Sequence, residues 1–219
     1  MTTTTPFSGP DTATGTGNPS SVVIIEGTYA RYRVQGHYRT LDGFPVPVAV
    51  SGPEKGVVVV ILGDEQRAPA AYDAVCERLH TASIRTVVIG LDRRLTPKSV
   101  VGILDAVGIT WAVVVGDRAG GELAWELAAT KLGRFVGLVV IDRGHPRVAG
   151  PNDEVRDEHC PPVEIGTTVL VSSPAARAVA RASQRFVYAE YRVVDLGRRS
   201  VQESTAQLAA EIVLRTSTW

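Results

Sequence analysis

Cysteine, lysine and aromatic residues are all scarce in this 219-residue chain. The two cysteines, Cys76 and Cys160, are too few for a disulfide framework, so a reducing, cytoplasmic compartment is expected. Lysine occurs only at Lys55, Lys98 and Lys131, so arginine carries most of the positive charge. Arginine pairs with carboxylates and phosphates through two parallel hydrogen bonds, whereas lysine acts as a point charge.

Long apolar runs and an excess of either charge are also missing. No stretch approaches the roughly 18 apolar residues of a membrane-spanning helix, and we expect no secretion signal at the polar N-terminus. Lys+Arg and Asp+Glu both number 23, so the formal net charge is zero. Neither nucleic acid nor an anionic membrane is an expected partner.

The first 20 residues differ in composition from the rest of the chain. Thr, Ser, Gly, Pro, Asn and Asp dominate there, and such a segment buries too little apolar surface to offset its ordering entropy. We therefore predict a flexible N-terminal tail over residues 1–20. The remaining residues, 21–219, have the length of one domain.

Short β-branched runs alternate with helical patterns from Gly56 onward. Unbroken apolar runs indicate strands buried on both faces of a parallel sheet. An antiparallel lead-in is predicted before them, at 22–34 and 44–50, and the prolines of 44–50 favour an edge position. The predicted parallel strands cover 57–62, 85–90, 111–115, 135–141, 167–171 and 191–195, with helices at 69–82, 97–108, 120–131 and 203–215. This alternation predicts an α/β fold with a doubly wound, mostly parallel sheet.

A glycine-framed turn follows the strand at 111–115. It reads Gly116-Asp-Arg118-Ala-Gly120 and leads from a predicted strand into a predicted helix. The pattern resembles the nucleophile elbow, G-x-S-x-G, of the α/β-hydrolase family. The resemblance extends from about residue 37 to the C-terminus and implies that fold, with a minimal lid or none in the segment 145–165.

Arginine stands at the elbow position where the family has its nucleophile. Arg118 stays protonated and cannot attack a carbonyl group. The resemblance places Arg199, or else Arg198, where the catalytic histidine belongs, and no histidine follows His159. The loop 171–177, which corresponds to the usual acid position, contains neither Asp nor Glu. Nucleophile, base and acid are therefore all missing from their expected places.

An alternative catalytic set remains open. Asp117 is a candidate nucleophile, but valine at position 115 would crowd the turn in that register. Asp142 is a candidate acid at the end of its strand, and His145 lies near the same edge. The glycines of the elbow lack the G-x-G-x-x-G spacing of a dinucleotide site.

Most predicted strands end in aspartate followed closely by arginine. These ends should meet at one edge of the sheet, where ligands bind in such folds. The set either forms mutual salt bridges that fill the site, binds a carboxylate or phosphate, or is a solvated surface. We expect Arg118 to pair there with Asp142 or Asp92. The rim residues are Asp64, Arg67, Asp92, Arg93, Arg94, Asp117, Arg118, Asp142, Arg143, Asp195, Arg198 and Arg199.

These features favour a hydrolase-like protein that has lost its catalytic triad. It would bind a small anion or interact with a protein partner, and we expect neither a cofactor nor a metal ion. The second hypothesis is a hydrolase that uses Asp117, Asp142 and His145. A histidine within hydrogen-bond reach of a carboxylate would favour that hypothesis.

Overall fold

A nine-stranded sheet runs through the chain. The computed structural model describes residues 23–30, 33–150, 153–197 and 201–217. The strands follow the order β1-β2-β3-β5-β4-β6-β7-β8-β9 across the sheet. The first three pair antiparallel and β4 to β9 run parallel to one another. Their bounds are β1 Val23–Ala30, β2 Arg33–Arg39, β3 Pro45–Ser51, β4 Val58–Leu62, β5 Arg85–Ile89, β6 Ala112–Asp117, β7 Phe135–Ile141, β8 Thr167–Val171 and β9 Tyr191–Asp195.

Helices cover both faces of the sheet, as the sequence pattern predicts. Their bounds are α1 Asp73–Thr81, α2 Pro97–Ala106, α3 Ala119–Thr130, α4 Pro174–Ser183 and α5 Val201–Thr216. Residues of α2 and α3 pack into one apolar cluster, and residues of α1 and α5 pack into a second cluster on the opposite face. The central strand β6 is buried at all six positions because both clusters press on it. The doubly wound α/β architecture with antiparallel N-terminal strands is confirmed.

Three predictions about the elements were wrong in detail. They concern the run 22–34, the loop 171–177 and the edge position of the strand at 44–50. The run 22–34 forms parts of two strands, β1 and β2, and not one. The segment 171–177 contains the start of helix α4, where only a loop was expected. Ser173 caps that helix by accepting the N–H of Ala176, and Pro174 takes its first turn. This combination of a serine cap and an N-terminal proline was visible in the sequence.

The proline-containing strand β3 lies inside the sheet, between β2 and β5, and not at an edge. The carbonyl oxygen of Pro47 accepts the N–H of Gly90, which directly follows β5. The β3–β5 ladder pairs Val48–Ser51 with Thr86–Ile89, so Pro45 and Pro47 lie outside it. Gly90 is needed there, since a Cβ would come within 2.5 Å of the Pro47 ring.

Candidate functional site

The elbow forms between β6 and α3, with Arg118 at its centre. Arg118 has φ 47° and ψ −105°, a conformation that L-residues rarely adopt. Glycine on both sides lets strand and helix approach closely. A Cβ on Gly116 would lie 2.5 Å from the Gly121 Cα, and one on Gly120 would overlap the carbonyl oxygen of Leu62. Arg118 thus lies at the turn from β6 into α3, with Gly116 and Gly120 two residues to either side.

The guanidinium of Arg118 pairs with Asp64. Arg118 Nη1 lies 3.3 Å from Asp64 Oδ2, and the two side chains are 46% and 15% exposed. The expected pairing with Asp142 or Asp92 is therefore wrong. Asp64 is the nearer partner because it follows β4, which lies directly beside β6 in the sheet.

The electrostatic surroundings keep Arg118 charged. Partial burial lowers the pKa of its guanidinium, but the fields of Asp117, Asp64 and Asp142 outweigh burial and raise it overall. Among the residues that the structure describes, this guanidinium makes one side-chain hydrogen bond, to Asp64. Because a guanidinium has five N–H donors, Arg118 retains donors for a further acceptor.

Asp117 is a buried anchor beneath the elbow. Its Oδ2 accepts the hydroxyl of Tyr72 at 2.9 Å and lies 3.5 Å from Arg67 Nη1. The Tyr72 hydroxyl in turn accepts the N–H of Asp64 at 2.9 Å. Burial and the adjacent Asp117 raise the pKa of Tyr72, so this phenol stays protonated. Asp117 is 4% exposed. Through Tyr72 and Arg67 it holds the loop after β4 in place.

Asp142 is held by the loop after β8. It takes a positive φ of 53°, and its two carboxylate oxygens accept the backbone N–H of Ser172 at 2.7 Å and the Ser172 hydroxyl at 2.5 Å. These bonds explain why Asp142 does not pair with Arg118. Ser172 gave no signal in the sequence, because its role depends on β7 and β8 being neighbours in the sheet.

His145 is fully buried, and its ring nitrogens are both engaged. Nε2 lies 2.9 Å from the carbonyl oxygen of Pro161, and Nδ1 accepts the N–H of Arg147. These partners assign the neutral tautomer with hydrogen on Nε2. The ring also packs against Trp125 and Phe186. Burial lowers the pKa of His145, which keeps it neutral.

The proposed catalytic alternatives do not come together. In the described parts of the chain, no hydrogen bond joins any two of Asp117, Asp142 and His145, and no carboxylate bonds to the His145 ring. Each of the three is occupied by a structural partner instead. The thiol of Cys160 is also buried, and burial raises its pKa to about 11.

The aspartates and arginines of the rim do form salt bridges. Most of these salt bridges join residues from different segments of the chain and not neighbours at the end of the same strand. Among the described residues of the rim, only Asp92 pairs with its near neighbour, Arg94, whose hydrogen bonds lower the pKa of that carboxyl to about 2. The other pairs are Arg67–Asp117, Arg93–Glu65, Arg118–Asp64, Arg143–Glu122 and Arg177–Asp195. Arg198 and Arg199 lie outside the described residues.

The paired rim leaves an open cavity beside Arg118, which we call the elbow pocket. Its volume is about 410 Å³, within the range of roughly 300–1,000 Å³ typical of small-molecule sites. The lining consists of Arg118, Glu122, Asp142, Arg143, Gly144, Val148, Gly150, Glu154, Arg156, Ser173, Ala175, Ala176 and Val179. The salt bridges therefore do not fill the space in front of the elbow.

One carboxylate that bridges two arginines lines both this pocket and a neighbouring one. Glu122, in the first turn of α3, contacts Arg143 Nε at 3.1 Å through Oε1 and Arg156 Nη1 at 2.7 Å through Oε2. The neighbouring cavity, of about 390 Å³, shares Glu122 and Arg156 with the elbow pocket and is also lined by Asp92 and Arg93. Sequence reasoning missed both Glu122 and Arg156. It considered only charged residues that directly follow a strand, whereas Glu122 lies in helix α3 and Arg156 in the connection after β7.

The connection from β7 to β8 is short of regular structure. Its described residues, 142–150 and 153–166, contain no helix, and Val163 alone makes an isolated bridge, to Val187. This agrees with a minimal lid. Within the described residues, no group of His, Cys, Asp or Glu could hold a metal ion, and no helix has the length and apolarity needed to cross a bilayer.

The sequence matches no protein-family model and no curated protein. The fold resembles solved structures that include proteins named as hydrolases. Cfl2 from Burkholderia cenocepacia aligns with a TM-score of 0.69 at 13% identity, over 89% of this chain and 99% of that one. Epoxide hydrolase A from Mycobacterium thermoresistibile gives 0.66 at 10% identity, over 84% and 98%. Dienelactone hydrolase from Anabaena variabilis gives 0.64 at 17% identity, over 83% and 98%. This chain therefore has the α/β-hydrolase fold.

Proposed function

We propose that this protein is a non-hydrolytic α/β-hydrolase-fold protein whose elbow pocket binds a small ligand through a carboxylate or phosphate group of that ligand. The observation that carries the proposal is the position of Arg118. The elbow presents its guanidinium, 46% exposed, at the edge of a cavity of about 410 Å³. A guanidinium with unused donors recognises a carboxylate or phosphate through charge-assisted hydrogen bonds.

The loss of hydrolysis is supported by the surroundings of the elbow. The N–H of Asp64, in the loop after β4, is taken by the Tyr72 hydroxyl and is not available to stabilise an oxyanion. His145 is locked by Pro161 and Arg147. A hydrolase needs a nucleophile in contact with a base, and the elbow offers neither.

A ligand panel tests the binding proposal. Thermal melts of the wild type with carboxylates and phosphates should identify the anion class, since a ligand at a hundred times its Kd stabilises by about 2.7 kcal/mol. Arg118→Gln should abolish the ligand-induced rise in Tm. Arg94→Gln is the matched control, because Arg94 also pairs with one carboxylate but does not line the elbow pocket. An equal rise in Arg118→Gln and the wild type would overturn the proposal.

Probe labelling tests the loss of hydrolysis. The wild type should form no covalent adduct with a fluorophosphonate and should not hydrolyse an ester panel above background. Arg118→Ser should also remain inactive, because a serine there would lack an activating histidine. A stoichiometric adduct on any serine would contradict the loss of hydrolysis, and hydrolysis gained by Arg118→Ser would show that the site contains an activating base.

A further inference from the structure

The charges that face the elbow pocket are balanced, which a site for a simple anion would not need. Its lining carries three arginines and three carboxylates. Glu122 binds two of the arginines, Arg143 and Arg156, one with each oxygen, and offsets one of their two positive charges. The third arginine, Arg118, therefore faces a pocket that still holds the other two carboxylates, Asp142 and Glu154.

Both of these carboxylates can accept further hydrogen bonds. Among the described residues, the Glu154 side chain makes no hydrogen bond or ion pair, and Glu154 is exposed. Asp142 accepts two bonds, both from Ser172. Because a carboxylate has about four acceptor positions, Asp142 keeps some of them for a donor. A ligand that carried only negative charge would meet repulsion from both groups.

Part of the pocket lining is apolar. Val148 and the α4 residues Ala176 and Val179 form this part. Helix α4 lies close to the end of β7 because residue 144 is glycine, and a Cβ there would overlap Val179 Cγ1. This apolar part offers contact to a short aliphatic chain.

We propose that the elbow pocket takes a zwitterionic ligand of the amino-acid type with a short aliphatic side chain. This inference rests on the function proposed above. The ligand's carboxylate binds Arg118, its ammonium group binds Asp142 and Glu154, and its aliphatic part packs against Val148 and Val179. An ammonium group removes the repulsion that the two carboxylates exert on a plain anion, and burying the aliphatic part adds hydrophobic stabilisation.

Three ligands with the same branched aliphatic chain separate the contributions of the ammonium and carboxylate groups to binding. Leucine carries both charges, 4-methylpentanoate lacks the ammonium group, and 3-methylbutylamine lacks the carboxylate. Calorimetric titration of the wild type should give leucine the lowest Kd, about tenfold or more below that of 4-methylpentanoate. A tenfold difference in Kd corresponds to about 1.4 kcal/mol of binding free energy. The amine alone should bind most weakly, since it does not use Arg118. Glycine should bind more weakly than leucine, because it lacks the aliphatic part.

Two variants place the ammonium group. Glu154→Gln and Asp142→Asn should each raise the Kd of leucine and leave that of 4-methylpentanoate unchanged or lower. Glu158→Gln is the control, because Glu158 is an exposed carboxylate of the same connection that lines a different cavity. Its leucine affinity should match the wild type.

The outcomes distinguish this inference from the proposed function. If 4-methylpentanoate binds as tightly as leucine and its binding depends on Arg118, the pocket is an anion site and the zwitterion inference is wrong. If neither carboxylate-bearing ligand binds but a phosphate of the panel binds through Arg118, the zwitterion inference is wrong and the proposed function stands. If no anion of the panel binds through Arg118, both proposals are wrong. If leucine binds equally well in Glu154→Gln, Asp142→Asn and the wild type, its ammonium group lies elsewhere and the inference also fails.

Discussion

Arg118 Nη1 and Asp64 Oδ2 lie 3.3 Å apart, which joins the elbow to the loop after β4. The pair links two adjacent parallel strands at their carboxyl ends, where a ligand would enter. It is weakly constrained, because the arginine side chain is 46% exposed and among the described residues makes one side-chain hydrogen bond. A ligand anion can therefore share this guanidinium without a large rearrangement of the fold.

Removing the charge of Arg118 should cost little stability. An exposed ion pair contributes about 0–1 kcal/mol, so Arg118→Gln should lower the free energy of unfolding by less than about 1 kcal/mol. Urea denaturation without ligand measures this change. A loss of about 3 kcal/mol or more would mean that the pair is a buried structural bridge and that the elbow does not serve binding.

The backbone of Arg118 is strained, and glycine should relieve that strain. A non-glycine residue in a sparsely populated region costs about 1–3 kcal/mol, and glycine has no Cβ to clash. Arg118→Gly should therefore be more stable than Arg118→Ala, by about 1 kcal/mol after allowing for the greater flexibility of glycine in the unfolded chain. Equal unfolding free energies for the two variants would indicate an unstrained turn.

Gly120 should tolerate no side chain. A Cβ would overlap the carbonyl oxygen of Leu62 and lie 2.5 Å from that of Gly63, and both are backbone atoms that cannot rotate away. Gly120→Ala should cost about 1–3 kcal/mol. Gly150→Ala is the control, because its Cβ would meet only the Glu154 carbonyl oxygen at 3.7 Å. Similar melting temperatures for the two variants would refute the close approach of α3 to β4.

Stability should fall as the pH is lowered through the titration of His145. Burial lowers its pKa in the folded protein below the ordinary 6.5, so the unfolded chain binds the proton first. The contribution of this residue is complete well above pH 6.5 and is lost as the pH falls toward the folded pKa. In denaturation between pH 7.5 and 5, His145→Gln should show a shallower decline than the wild type. Parallel declines would mean that His145 does not titrate abnormally.

The sequence predicted the fold more fully than the site. Unbroken β-branched runs and the spacing of Gly116 and Gly120 depend on local sterics, so the parallel strands and the elbow could be placed. The partner of Arg118 could not, because pairing depends on which strands are neighbours. Asp64 lies beside the elbow since β4 and β6 are adjacent, although about fifty positions separate the two residues in the chain.

Other contacts of the site could not be predicted from the sequence either, because they also depend on which segments are neighbours in the fold. Ser172 meets Asp142 only because β7 and β8 pair, and Arg156 reaches Glu122 from an irregular connection with no periodic pattern. The interior position of β3 was mispredicted because proline disfavours a central strand. The conflict does not arise, because the β3–β5 ladder pairs only Val48–Ser51 of β3 and leaves both prolines outside it.

Observation of the Arg118 guanidinium itself tests the central claim most directly. In a ¹H–¹⁵N spectrum of the arginine Nε–H groups, the Arg118 signal can be assigned by its absence in Arg118→Gln. Titration with 4-methylpentanoate should shift that signal saturably, with a Kd that agrees with calorimetry, and leave the Arg94 signal unmoved. An Arg118 signal that stays unchanged at saturating ligand would show that the elbow arginine does not bind the carboxylate, and the account would be contradicted.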